Sequence, residues 1–240
     1  MATQILSFAS DAELAQAAAR AFLGWATTRR GQTTTVALAG GRITGSFYDA
    51  IVAHASPEQR AAVQGLDFFW GDERCVPPDS ADSNFKLAQD RLFSPLAIPE
   101  ARKHRVRGEL PPSEAAAQIA GELTQLATKI PGQQPQIDLV LLGMGEDGHV
   151  ASLFPNAPAE VLESRAIYLP VIGPKPPPQR ISLSYPQLHA AAEVWVLVAG
   201  AGKLVPLRDA LSGACSFGLG RMLAGRSDTK IFESVGHGSR

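Results

Sequence analysis

Four times along this chain, a short run of apolar and β-branched residues passes directly into a glycine-bearing polar loop. Residues 33–39 lead into Gly40-Gly41-Arg42, and residues 66–70 into Gly71-Asp72-Glu73-Arg74. Residues 137–142 lead into Gly143-Met144-Gly145-Glu146-Asp147-Gly148-His149, and residues 194–199 into Gly200-Ala201-Gly202-Lys203. Runs this short and apolar read as buried strands, and helical patterns lie between them. Ser10-Asp11-Ala12-Glu13 reads as a capping box, after which Leu14, Ala17, Ala18, Ala21, Phe22 and Trp25 recur at helical spacing. Further helices are expected over 46–54, 84–92, 113–130, 186–191 and 203–211, the third of these stopped by Pro131-Gly132. One more strand is expected over 180–184, and residues 71–83 read as a long polar loop. Strand alternating with helix predicts an α/β fold, a mostly parallel sheet with helices on both faces.

The 240 residues suit one large domain over 1–240, and 45% hydrophobic against 19% charged excludes a disordered chain. Twenty-two basic and twenty-three acidic side chains leave no net positive field to gather nucleic acid or anionic lipid. Two cysteines, Cys75 and Cys215, exclude a disulfide scaffold and a four-cysteine zinc site. Met1-Ala2-Thr3-Gln4 has neither the basic nor the apolar segment of a secretory leader. The purest apolar run, 194–199, is six residues, well short of the roughly 20 that span a bilayer. The expectation is a cytoplasmic protein with no nucleic-acid or membrane partner, a monomer before a weak dimer.

In open parallel sheets, ligands bind beyond the carboxyl ends of the strands. There the four loops would deliver Arg42, Arg74, Lys203 and His149 to one edge, beside the polar Asp72. Gly40, Gly41, Gly143 and Gly145 would let main-chain amides approach an anion, and the following helices offer positive N-termini. This combination suits a phosphorylated small molecule. Gly143-x-Gly145-x-x-Gly148 fits the dinucleotide fingerprint literally, but Pro155 comes too soon for the helix that would hold a pyrophosphate. Glu146 and Asp147 would also repel that group.

His149 follows an acidic, glycine-rich turn, so its imidazole could take a proton from water, with Asp147 near enough to tune it. His54, His104, His189 and His237 read as structural or surface residues. No other ligands stand at metal-binding spacing, so neither metal nor cofactor is expected. Two nucleophiles carry less. Ala214-Cys215-Ser216-Phe217-Gly218 loosely resembles a nucleophile elbow, with Asp228 and His237 following in hydrolase order, but no strand precedes it. Cys75 beside Arg74 could be an activated thiol, although a small buried loop cysteine is the commoner case. The proline-rich segment 173–178 lies between two expected strands and reads as a loop inside the fold.

The run Phe68-Phe69-Trp70-Gly71-Asp72-Glu73-Arg74-Cys75-Val76-Pro77, continuing to Asp82-Ser83-Asn84, resembles a block of the 6-phosphogluconolactonases. The run from Leu141 through Gly143, Gly145, Asp147, Gly148 and His149 to Pro155 is similar to their signature around a catalytic histidine. Two further blocks, residues 174–181 and 198–203, match in order, so the resemblance covers nearly the whole chain. It implies a Rossmann-like fold shared with glucosamine-6-phosphate deaminases and ribose-5-phosphate isomerases. It also implies hydrolysis of 6-phospho-D-glucono-1,5-lactone to 6-phosphogluconate without cofactor or metal. His149 would then be the general base, and Arg74, Lys175, Arg180 and Lys203 would hold substrate, chiefly its phosphate.

One position departs from the family pattern. Gly-Gly-Ser-Thr-Pro is usual in the first loop, whereas this chain reads Gly40-Gly41-Arg42-Ile43-Thr44-Gly45. Either Arg42 pairs with the phosphate in place of the missing hydroxyl, or it points to solvent while Thr44 caps the next helix. A deaminase or isomerase on the same fold, and a non-catalytic sugar-phosphate sensor, remain the alternatives; the Arg74 and His149 blocks favour the lactonase.

Overall fold

The computed structural model describes residues 3–129, 134–226 and 228–235. The chain runs through β1 (Gln4–Ser7), α1 (Asp11–Thr27), β2 (Thr35–Leu38), α2 (Arg42–His54), α3 (Pro57–Gln64), β3 (Asp67–Trp70) and β4 (Asp72–Arg74). It continues through α4 (Asn84–Ala88), α5 (Ser94–Leu96), α6 (Pro112–Leu126), β5 (Leu139–Gly143), α7 (Ala159–Leu162), β6 (Tyr168–Ile172) and β7 (Gln179–Leu183). α8 (Tyr185–Ala190), β8 (Glu193–Val198), α9 (Leu204–Ser212), α10 (Gly218–Ala224) and β9 (Thr229–Glu233) follow.

Six strands form a wholly parallel sheet in the order β1-β9-β8-β5-β2-β3. Its strands are apolar on both faces because both faces are covered, and the two-residue period of a strand sorts their side chains. Val36, Leu38, Phe68, Trp70, Leu139, Leu141, Trp195 and Leu197 pack with Leu14, Phe22, Phe47, Ile51 and Phe93 of the first helices. Ala37, Phe69, Val140, Leu142, Val194 and Val196 point the other way, toward Ile119, Leu188, Leu207 and Leu219. The expected parallel α/β sheet is therefore present, with a Rossmann-like layering.

One strand belongs elsewhere. The run expected over 180–184 is β7, which lies in a separate antiparallel sheet, order β4-β7-β6. β4 occupies the start of the stretch expected to be loop, with Arg74 opposite Arg180. β3 passes into β4 across Gly71 alone, whose amide donates to the Leu38 carbonyl at 2.7 Å. The proline-rich segment 173–178 is the connection between β6 and β7, closed by a 2.7 Å bond from the Gly173 amide to the Pro178 carbonyl.

Helix bounds also shift. Ser10 accepts from the Glu13 amide and caps α1 as expected. The helix expected from residue 46 starts four residues earlier, at Arg42, with Gly41 as N-cap at φ +96°. Thr44 does not cap it: the hydroxyl is buried and donates to the Gly40 carbonyl at 2.8 Å. The helix expected over 84–92 continues through a wide turn, Gln89–Phe93, into α5. The helix expected over 113–130 ends at Leu126, and Pro131-Gly132 lies outside the described residues.

Candidate active site

The carboxyl ends of β2, β3, β5 and β8 open onto a cleft of about 190 Å³. Its wall includes Gly40, Gly41, Arg42, Asp72, Arg74, Asn84, Gly143, Gly145, His149, Arg180 and Lys203. The four glycine loops thus do converge on one edge. Lys175 is exposed and is not part of this wall; its carbonyl accepts a 3.4 Å bond from Arg180.

His149 stands where β5 has ended and the chain turns back on itself. The Gly145 amide donates to the His149 carbonyl at 2.9 Å, and Gly148 adopts φ +82°. That left-handed position is where glycine avoids the clash of a side chain with the carbonyl. The turn brings Asp147 Oδ1 to 2.5 Å from His149 Nδ1 and 3.2 Å from the His149 amide. Burial opposes the charge of Asp147, but the bonds and charge of His149 outweigh it and hold the carboxyl below its ordinary range. An anionic acceptor at Nδ1 selects the tautomer whose Nε2 is free to accept a proton. The ring leans on Phe154, centroids 4.5 Å apart.

The cations gather around this histidine. Arg74 and Arg180 face each other across β4 and β7, and each has a buried Nε–H with no protein partner. Burial, then the charge of Arg74, lowers the Arg180 guanidinium below its ordinary value, with Asp72 opposing. Arg180 also lies over the Phe154 ring, at 5.3 Å. Two adjacent guanidiniums with spare donors repel one another, and a bound anion would relieve both conditions. Burial and the charge of Arg42 likewise lower Lys203, against Glu146 and Asp11. The first turn of α2 has no side-chain cap, and Gly41, Arg42 and Ile43 line the cleft there, so its amides are placed for an anion.

Arg42 is largely exposed but tied at its tip. Its Nη1 pairs with Asp11 Oδ2 at 2.8 Å, and Asp11 Oδ1 accepts from Ser234 at 2.6 Å. The guanidinium is held at the cleft rim by the start of α1. Asp11 is lowered from its ordinary value, the Ser234 bond exceeding the cost of burial and Arg42 adding to it.

Three residues of the site escaped the sequence analysis. Ser152 donates to Asp72 Oδ2 at 2.6 Å, following Ala151, which lines the cleft at φ +49°. A non-glycine residue in that region signals strain tolerated for placement. Asn84 donates to the Asp72 carbonyl at 2.8 Å. Glu73 is buried beneath them. All three lie in or beside the motifs quoted above, but strands and loops do not announce which hydroxyl or carboxyl turns inward.

The remaining candidates fall outside the cleft wall. Burial pushes the Cys75 thiol up, with the Glu73 charge adding to it, so the thiol is not activated by Arg74. Cys215 donates to the Phe217 carbonyl, and His237 lies outside the described residues. His54 is exposed, His104 sits between Asp67 and Glu122, and His189 packs against Gly225. Among the described residues, no three histidine, cysteine or carboxylate side chains cluster as metal ligands, and no helix is long and apolar enough to cross a membrane.

Comparison with known proteins shows the family and the fold. The pattern described as "Glucosamine-6-phosphate isomerases/6-phosphogluconolactonase" matches residues 9–216. The chain is 36% identical to a 6-phosphogluconolactonase of Mycobacterium tuberculosis over 80% of this chain and 78% of that one. It is 39% identical to one from Nostoc over 70% and 68%. A solved 6-phosphogluconolactonase from Trypanosoma brucei superposes with a TM-score of 0.83 at 28% identity, covering 97% of this chain and 96% of that one. A monomeric glucosamine-6-phosphate deaminase shares the fold, with a TM-score of 0.80 at 19% identity and 97% of each chain covered. By sequence and by fold, this chain belongs to the glucosamine-6-phosphate isomerase/6-phosphogluconolactonase family.

Proposed function

We propose that this chain hydrolyses 6-phospho-D-glucono-1,5-lactone to 6-phosphogluconate, the second step of the oxidative pentose phosphate pathway. The observation that carries the reading is the Asp147–His149 pair set at a cationic cleft. The relatives supply the substrate class, being 6-phosphogluconolactonases. The phosphate is held by Arg180, Lys203 and Arg74 with the first-turn amides of α2, and Arg42 reinforces them from the rim. Lys175, outside the wall, takes no part.

His149 Nε2 removes a proton from water as the oxygen attacks the lactone carbonyl carbon. Asp147 holds Nδ1–H and stabilises the imidazolium that forms. The carbonyl oxygen becomes an oxyanion, for which the glycine-lined wall must supply donors; the Gly145 amide, already given to the His149 carbonyl, is not one of them. As the tetrahedral species collapses, the bond from the carbonyl carbon to the ring oxygen breaks. That oxygen takes the proton from His149 Nε2 and leaves as a hydroxyl, and the new carboxylic acid ionises in water.

The test is hydrolysis of freshly made phosphorylated lactone, corrected for spontaneous opening, by wild type and His149→Ala. Loss of a general base costs about 10²–10⁴-fold in kcat. A folded His149→Ala with wild-type kcat, or a wild type that releases ammonia from glucosamine 6-phosphate in place of opening the lactone, refutes the reading.

A further inference from the structure

Glu73 is 2% exposed and is not part of the cleft wall, yet it lies between two residues that are, Asp72 and Arg74. Each of its oxygens accepts twice. Oε1 takes the Arg74 amide at 2.7 Å and the Asn84 amide at 2.8 Å. Oε2 takes the Phe85 amide at 2.7 Å and the Ser83 hydroxyl at 3.1 Å. Four uncharged donors converge on one buried carboxylate, three of them from the start of α4. A neutral amide could not replace it, since it offers one acceptor oxygen and turns two N–H groups toward donors.

The segment held in this way reaches the cleft through two side chains. Asn84, 3% exposed, is wedged so tightly against Gly40 that a Cβ at position 40 would overlap its amide group. Arg74 Nη1 donates to the Asp82 carbonyl at 2.8 Å, tying the same segment back to the guanidinium. We infer that Glu73 is a positioning residue for substrate binding: by pinning Ser83, Asn84 and Phe85 to β4 it sets Asn84 against the glycine loop of β2 and aims Arg74 at the bound anion. The inference rests on the proposed substrate, and it assigns to Glu73 no contact with that substrate.

The arrangement makes binding sensitive to the proton. Burial pushes the Glu73 carboxyl up to about 7, against the main-chain bonds from Asn84, Arg74 and Phe85, and the charge of Asp72 raises it further. The other charged or titratable groups that face it are Arg74 and Cys75 along the chain, Tyr48 from α2, and Arg105. Protonation turns one acceptor into a donor, so one of the four bonds is lost and the wedge loosens. Affinity is therefore expected to rise as pH rises through about 7.

Calorimetric titration of 6-phosphogluconate into wild type, Glu73→Gln and Ser83→Ala between pH 6 and 8.5 tests this, with KM and kcat measured alongside. At pH 8, Glu73→Gln should raise Kd and KM about tenfold, the order expected from losing a buried bond to a charged acceptor, with kcat within about twofold. Its Kd should approach that of wild type near pH 6, because the variant lacks the titrating group while the ligand's own phosphate titrates in both. Ser83→Ala removes one of the four donors and leaves the backbone intact, so it should shift the wild-type Kd profile toward higher pH. Wild-type binding with Kd profiles unchanged in both variants overturns the inference alone, and so does a loss confined to kcat. Should Glu73→Gln fail to fold, the Ser83→Ala profile decides: a shifted midpoint supports the inference, an unshifted one overturns it. A wild type that does not bind 6-phosphogluconate overturns the substrate reading, and the inference with it.

Discussion

Gly145 and His149 are joined at two levels: the Gly145 amide donates to the His149 carbonyl, and the imidazole lies so close to the Gly145 Cα that a Cβ there would overlap Nδ1. Asp147 Oδ1 occupies the same small space. A methyl group at position 145 would therefore separate the pair that the proposed mechanism requires to stay together. Gly145→Ala should lower kcat by about 10²-fold or more, toward the level of His149→Ala. Binding of 6-phosphogluconate should change much less. Unchanged turnover in a folded Gly145→Ala would mean that the imidazole can move without cost.

Arg42 is exposed over 71% of its side chain but fixed at its tip by Asp11. A cation held at the rim should strengthen the grip on a dianion mainly through long-range attraction, which salt screens. Arg42→Ser should weaken 6-phosphogluconate binding about threefold to tenfold and reduce its dependence on salt, measured by calorimetry from low to high ionic strength. Asp11→Asn keeps the cation and removes the anion paired with it, so it should act in the opposite direction. Equal or tighter binding in Arg42→Ser would leave the Asp11–Arg42 pair as a surface contact of little energetic weight.

The thiol of Cys75 is raised by burial and by Glu73, so little thiolate exists at neutral pH. Alkylation with iodoacetamide at pH 7 should be slow and should leave hydrolysis intact, and Cys75→Ser should retain wild-type kcat. A folded Cys75→Ser without activity would restore a cysteine mechanism.

Much of this site could be read before any coordinates. The strands β2, β3, β5 and β8 are continuous apolar runs because both faces are buried, and each ends at a glycine, so their loops could be found and placed on one edge. The antiparallel sheet was not legible. β4 is three polar residues, and β6 contains Pro170, which reads as a break although it lies on an edge strand, where its missing donor costs little. β1 and β9 carry no continuous apolar run: β1 is largely exposed, and β9 holds Lys230 and Glu233. The inward turn of Glu73 was illegible for a related reason. Its neighbours Asp72 and Arg74 alternate with it along β4, and only the position of α4 shows that the middle residue faces buried amides.

Glu73 also predicts that stability and affinity respond to pH with opposite signs. Its carboxyl is raised from 4.5 to about 7 in the folded protein. Between those values the folded state keeps a proton that the unfolded chain has released. The group's contribution to stability is thus fully present below about 4.5 and declines as pH rises to about 7. Urea unfolding of wild type and Glu73→Gln from pH 5 to 8 should show the variant gaining stability relative to wild type as pH rises. Parallel curves over that range would show that the carboxyl titrates normally.

The pairing of β1 with β9 has a consequence for synthesis. Every residue in the cleft wall lies between Ala39 and Lys203, so the whole catalytic edge leaves the ribosome before Thr229–Glu233 does. Until β9 emerges, β8 has one bare edge and β1 has no neighbour in the sheet, since β9 is the strand that joins them. Unpaired parallel edges are templates for other chains. Removal of β9 from a mature molecule would recreate that unfinished state and leave the sheet open to its neighbours. The strand that arrives last contributes no residue to the cleft wall, yet it completes the sheet that carries that wall.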